Sequence, residues 1–312
     1  MLPVFLSFGV SAVLGPVLIP YLRRLKIGQT VRDEGPKSHL KKNGTPTMGG
    51  ILFLAGVTAA CLPFLKQEGM DGVLILTLGF GLVGFCDDLI KVVLHRSMGL
   101  SAWQKFAGQM AVTGFFLYYG IRTGEMDLAM KVPFVPQAEI LPGSLTVPFL
   151  FFVILGTANG TNFTDGLDGL AGSVTVLVAV FFAAVAIGTG SGIVPVTCAV
   201  AGGLLGFLLF NVHPASVFMG DTGSLALGGF VAGCACMLKL ELFLPIVGFV
   251  YLAEVVSVIL QVVWFKATGG RRLFRMAPLH HHFELCGWSE TRIVAVFSIL
   301  TSLLCLIALA GL

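Results

Sequence analysis

Long apolar stretches alternate with short polar connections from one end of this chain to the other. A helix needs roughly 20 mostly apolar residues to cross the hydrocarbon layer of a bilayer. On that measure the pattern predicts ten spans, near 2–22, 47–65, 70–88, 101–121, 145–161, 170–188, 192–210, 223–239, 241–266 and 290–311. The predicted fold is an all-α integral membrane protein with ten transmembrane helices, read as a single polytopic domain over 1–312. The first apolar run has no leading basic residues and no small-residue cleavage site, so it reads as a span rather than a removable signal. Segment 122–144 is the longest polar piece on its side, and its prolines at 133, 136 and 142 bracket short extended runs that suit a small hairpin.

Composition agrees with the pattern. Apolar residues make up 56% of the chain and charged residues 11%, where a soluble domain carries about a quarter charged residues. The seven cysteines lie mostly inside apolar runs, and Cys234 and Cys236 are not a CxxC pair, so they read as buried thiols rather than disulfides or a zinc site.

Charge placement orients the chain. The loops at 23–46, 89–100, 162–169, 211–222 and 267–289 share one side if there are ten spans. That side and its span ends hold all 19 Lys and Arg residues except Lys66, Arg122, Lys131 and Lys239. A bias of this kind marks the cytoplasmic face, which puts both termini outside. Asp87, Asp88, Asp165, Asp168, Asp221, His280, His281 and His282 fall on the same face, so an active-site cleft is expected there.

The chemistry is concentrated in a few stretches. In "GFCDDLIKV" a helix would place Asp87 and Lys91 at i,i+4 and Asp88 and Lys91 at i,i+3. A span-end charge cluster is the bland reading, but two adjacent acids repel, and keeping both ionised calls for a metal or a basic ligand. In "ANGTNFTDGLDGLAG", Asn162, Asp165 and Asp168 are three apart, which on a helical turn would align them on one face. The stretch lacks the ligand count and closing Glu of a calcium loop. In "NVHPASVFMGDTGSLALGG", Asp221, Thr222 and Ser224 stand at the start of the eighth span. Either helix capping or anion binding by free amides fits there. In "MAPLHHHFE", consecutive histidines cannot all reach one tetrahedral ion, and beside Arg271, Arg272 and Arg275 they suit diphosphate recognition. Lys41, Lys42 and Thr47 sit at the mouth of the second span, where attraction to lipid headgroups is the plain alternative.

Together these stretches, from "RDEGPKSH" and "KKNGTPTMGG" to "PLHHHFE", closely resemble the phospho-N-acetylmuramoyl-pentapeptide transferase family. It lies within the polyprenyl-phosphate N-acetylhexosamine-1-phosphate transferase superfamily. The resemblance covers nearly the whole chain in order, with "GTPTMGG" and "PLHHHFE" specific to the muramoyl-pentapeptide branch. It implies transfer of phospho-MurNAc-pentapeptide from UDP to undecaprenyl phosphate at the inner leaflet, with Mg²⁺, by a homodimer. By the same resemblance Asp221 matches the magnesium-binding aspartate, and Asp87 and Asp88 match the essential acidic pair, with Asp87 the usual base. Lys91, Asp168 and Phe218 match positions around the uracil. Lys42, Thr47, Asn162, Asp165, Asn211, Gln261, His280 and His281 match other positions of the nucleotide cleft. His280 is grouped with the catalytic residues and His282 with the substrate-binding ones. His95 departs from the pattern, standing where a lysine is common.

A transporter is the competing class, but transporters place polar groups near the bilayer midplane in repeated halves. Here Glu254 alone sits near the middle of a span, and no halves repeat. Glu254 shares a face of the ninth span with Gln261, where it could border the cleft or be a buried structural acid.

Overall fold

The computed structural model describes residues 1–24, 42, 44–94, 98–135 and 138–312. Helices occupy all ten apolar segments. They are α1 (Leu2–Arg24), α2 (Gly50–Cys61), α3 (Met70–Val93), α4 (Ala102–Thr123), α5 (Thr146–Thr164), α6 (Leu170–Thr189), α7 (Val194–Asn211), α8 (Gly220–Met237), the pair α9 (Leu244–Val247) and α10 (Phe249–Ala267), and α12 (Glu290–Ala310). Seven of them, α1, α3, α5, α6, α7, α10 and α12, are long and apolar enough to cross a membrane. The chain is thus a multi-pass helical membrane protein.

α2, α4 and α8 fall outside that set. α2 is 12 residues long and is prolonged by a 3₁₀ turn at Leu62–Phe64. α4 carries Gln109, whose side chain exchanges hydrogen bonds with the Asn159 amide of α5, Asn159 donating at 3.0 Å. α8 is built of small residues, and every residue from Thr222 to Cys236 is buried. A helix surrounded by protein needs close approach more than lipid solubility, and small side chains supply it.

Two differences from the sequence pattern have local causes. The segment 241–266 is not one helix: Pro245 opens α9, Gly248 ends it, and α10 begins at Phe249. The loop 267–289 contains a short helix, α11 (Leu279–Leu285), formed by the histidine run itself. In segment 122–144, β1 (Met130–Lys131) and β2 (Glu139–Ile140) pair antiparallel, Met130 opposite Ile140, so the hairpin exists.

Tight backbone approach organises the core. The buried face of α1 repeats every four residues through Pro3, Ser7, Ser11 and Gly15. A Cβ on Gly56 of α2 or Gly203 of α7 would come closer than 3.0 Å to Ser7. Among the described residues, the most extensive contact is between α3 and α8. There a Cβ on Gly229 would meet the Leu76 carbonyl, and one on Gly84 would meet the Asp221 carbonyl, both closer than real Cβ atoms come. Gly84 therefore draws the end of α3 onto the start of α8, and the acidic residues lie at that crossing.

Candidate active site

Asp87 and Asp88 are the next turn of α3 after Gly84, and Asp221 is the second residue of α8. The carboxylate oxygens of the three come within 4.8 Å of one another. Lys91 holds them together: its Nζ is 2.6 Å from Asp87 Oδ2, 2.6 Å from Asp221 Oδ2 and 3.5 Å from Asp88 Oδ1. Lys105 of α4 approaches Asp221 Oδ2 to 3.2 Å. Three carboxylates against two ammonium groups leave one formal negative charge, and the candidate ligand atoms are all hard oxygens. That set suits Mg²⁺, which takes oxygen ligands and keeps several waters.

Each acid is also fixed from its other side. The Thr222 N–H and hydroxyl donate to Asp88 Oδ2 at 2.9 and 2.7 Å. The anion at this helix N-terminus is thus the protein's own Asp88, and neither Asp221 nor Thr222 caps α8, whose N-cap is Met219. The Leu100 N–H donates to Asp87 Oδ1 at 2.9 Å. The Asn162 amide donates to Asp221 Oδ1 at 2.7 Å and to Ser224 Oγ at 2.8 Å.

A second network lies alongside. Lys42 Nζ is 2.8 Å from Asp168 Oδ1 and 2.6 Å from Glu290 Oε2 at the start of α12. Asp168 Oδ2 accepts from the Ala215 N–H at 3.0 Å and lies 3.1 Å from His213 Nδ1. Asn211 clasps two loops, accepting from the Gly169 N–H at 3.1 Å and donating to the Val217 carbonyl at 2.9 Å. The Phe218 N–H donates to Pro46 O, and the Gly49 and Gly50 amides donate to the Phe218 and Met219 carbonyls, at 2.8 to 2.9 Å. This short ladder sets Thr47 beside Gly220 and Asp88 and leaves the Phe218 ring half-buried.

Asn162, Asp165 and Asp168 do not share a helical face. α5 stops at Thr164, and the turn that follows is made by Gly166 and by Gly169 at φ +77°. Asn162 consequently serves the acid trio and Asp168 the Lys42 network. Asp165 lies within reach of both. Burial first, then the charges of Asp221, Asp88 and Asp168, push its carboxyl well above the usual range.

The histidine helix splits into three environments. His280 is 1% exposed, its Nδ1 3.2 Å from Glu254 Oε1 of α10, and its Nε2 edge packs on Gly166. His281 Nδ1 lies 2.7 Å from Glu284 Oε2. His282 Nδ1 accepts from the Arg275 N–H at 3.1 Å. Gln261 is engaged with its own loop, its Oε1 accepting from the Leu273 and Phe274 N–H groups at 3.0 and 2.9 Å.

Comparison with known proteins speaks to the same residues. The model of glycosyl transferase family 4 matches residues 70–239, which run from α3 through α8. Signature 1 of the phospho-N-acetylmuramoyl-pentapeptide-transferases matches residues 42–54, which include Lys42 and Thr47. A phospho-N-acetylmuramoyl-pentapeptide-transferase of Heliobacterium modesticaldum is 53% identical, over 93% of this chain and 90% of its own. Proteins of the same name from Desulforamulus reducens and Clostridium perfringens are 50% and 47% identical, over 98% and 100% of this chain and 93% and 98% of theirs. The chain belongs to the phospho-N-acetylmuramoyl-pentapeptide-transferase family.

Within this transferase family the chain is a membrane phosphoglycosyl transferase of the bacterial plasma membrane. Some residues of its site were not among the sequence candidates. Lys105 and Glu290 were visible only as charges near span ends, and His213 only as a loop residue. Lys42 and Glu290 are 248 residues apart, a pairing that no spacing rule reaches. Of the residues expected around the uracil, Lys91 lies against the acid trio and Asp168 against Lys42 and His213. His95 lies outside the described residues.

Proposed function

We propose that the protein transfers phospho-MurNAc-pentapeptide from its UDP carrier to undecaprenyl phosphate, releasing UMP and forming the first lipid-linked peptidoglycan precursor. The observation that carries this reading is the junction of Asp87, Asp88 and Asp221 around Lys91, with the Lys42–Asp168 network beside it. A phosphate oxygen of the lipid attacks the sugar-bearing phosphorus, and the bond from that phosphorus to the UMP oxygen breaks. Charge accumulates on the diphosphate, and positioned cations lower the barrier. Asp87, Asp88 and Asp221 would hold Mg²⁺, with Asp221 its principal ligand, and the ion would neutralise diphosphate charge. Lys91 and Lys105 stand where they can meet the leaving phosphate. Asp87, the usual base by the family resemblance, would accept a proton from the lipid phosphate, while Asp88 is held at the α8 terminus by Thr222. Phe218 would stack the uracil, with Asp168 and Lys42 at its edge.

The same reading places ten spans in the bilayer as a single domain over 1–312, both termini outside and the cleft on the cytoplasmic face. The charge bias and the cytosolic origin of nucleotide sugars support that orientation. It takes the working unit to be a homodimer. Incubation of purified protein with UDP-MurNAc-pentapeptide and Mg²⁺ tests the reaction: UMP should appear only when undecaprenyl phosphate is added. A protein that moves the nucleotide across vesicles without releasing UMP is a transporter, and the reading fails.

A further inference from the structure

Glu254 and His280 are among the most deeply buried ionisable residues described, at 0% and 1% exposure. The Glu254 Oε1 atom faces two nitrogens of one residue: the His280 backbone N–H donates to it at 3.2 Å, and His280 Nδ1 lies 3.2 Å away. Glu254 Oε2 and both ring nitrogens of His280 are buried without a hydrogen-bond partner, so the hydrogen bond that joins the two residues is the one from the His280 backbone N–H. An arrangement that leaves buried polar atoms unpaired is a poor stability device, because apolar residues of similar volume often serve as well or better. The pair's position suggests another purpose. Glu254 belongs to α10 and His280 to α11, and the imidazole edge abuts Gly166, so closely that any Cβ there would overlap it. Gly166 is the pivot of the turn between Asp165 and Asp168.

We propose that Glu254 is a positioning residue: by accepting from the His280 backbone N–H it holds that residue where its imidazole packs on Gly166, and the held ring fixes the 165–169 turn that presents Asp168 to the nucleotide. Glu254 touches no substrate. It acts as a hydrogen-bond acceptor, through His280, on the nucleotide side of the cleft alone. The proposal rests on the nucleotide reading of Asp168 given above.

The test compares full-length wild type, Glu254→Met and Glu254→Gln, purified in detergent. Met fills a similar volume but accepts no hydrogen bond, whereas the Gln carbonyl can still accept from the His280 N–H. Three quantities are read: UMP affinity by calorimetry, KM for each substrate, and the melting temperature. Glu254→Met should weaken UMP binding and raise KM for the UDP substrate by about tenfold, roughly the loss of one hydrogen bond. KM for the lipid phosphate should stay within about twofold, and Glu254→Gln should restore the nucleotide values to within about twofold. Equal effects on both KM values, losses that follow a fall in melting temperature, or a Gln variant as impaired as Met would each overturn the proposal. A wild type that does not bind UMP overturns the nucleotide reading and the proposal with it. Tight UMP binding that Glu254→Met leaves unchanged overturns the proposal alone.

Discussion

Replacing Gly84 with Ala tests how far the chemistry depends on the α3–α8 crossing. A Cβ at this position meets the Asp221 carbonyl and the Thr222 nitrogen, both backbone atoms that cannot rotate away. Ordinary contact begins near 3.4 Å, and the built separation from Thr222 N is 2.7 Å, with the Asp221 carbonyl closer still. The helices must part by on the order of 1 Å, a displacement that can cost about a hundredfold in rate when reacting groups are held by it. Stability should fall less, because overpacking costs about 1–3 kcal/mol while Ala in a helix interior recovers up to about 1 kcal/mol over Gly. The assay is Mg²⁺-dependent UMP release, with kcat and melting temperature measured on the same preparation. Gly233→Ala is the control. It lies on the same helix pair, its Cβ would stand 3.2 Å from Val73 Cα, and it is far along α8 from the acids. Gly84→Ala should lose roughly a hundredfold in kcat with a modest loss of melting temperature, while Gly233→Ala keeps near-normal kcat. Comparable kcat losses in both variants, or a Gly84→Ala enzyme of full activity, would refute the dependence on this crossing.

Asp87→Asn, Asp88→Asn and Asp221→Asn should each lower kcat by at least about a hundredfold while the protein still folds, as measured by turnover and size-exclusion profile; near-normal turnover removes that residue from the catalytic set. Activity should require Mg²⁺ or Mn²⁺ and should not be rescued by Zn²⁺, because the donors are carboxylates; full turnover in EDTA would exclude the metal. Phe218→Ala should raise KM for the UDP substrate by roughly five- to a hundredfold, the worth of one stacked base, and leave KM for the lipid phosphate unchanged. Asp165 holds its proton more tightly folded than unfolded, so its contribution to stability is present at low pH and is lost as pH rises from the ordinary carboxylate range through the raised folded value. Asp165→Asn should flatten the dependence of melting temperature on pH across that window, and an unchanged slope would contradict the shift.

What could be read from the sequence was whatever the helical period controls. Asp87 and Lys91 are one turn apart on α3, and the ion pair forms as the spacing predicts. The apolar runs found the helices because membrane crossing imposes length and composition together. The period failed where the helix stops. Asp165 and Asp168 follow Asn162 at a helical interval, but the Gly166 and Gly169 turn sends the side chains to different networks. Gly248 likewise breaks the stretch 241–266, which the apolar pattern reads as one span. Pairings across the fold, such as Lys42 with Glu290 and Thr222 with Asp88, depend on which helices pack, and a single sequence carries no trace of that. The close crossing of α3 and α8 rests on Gly84 and Gly229, whose role shows only once the two helices are seen to pack.

The measurement that bears most directly on the proposed reaction follows the sugar-linked phosphorus of UDP-MurNAc-pentapeptide. With that atom labelled, purified protein, Mg²⁺ and undecaprenyl phosphate should place the label in the organic phase, with UMP released in equimolar amount, and Asp221→Asn should do neither. Label that stays in the aqueous phase as UDP, with the sugar alone passing to lipid or to water, would contradict phosphosugar transfer at the Asp87–Asp88–Asp221 junction.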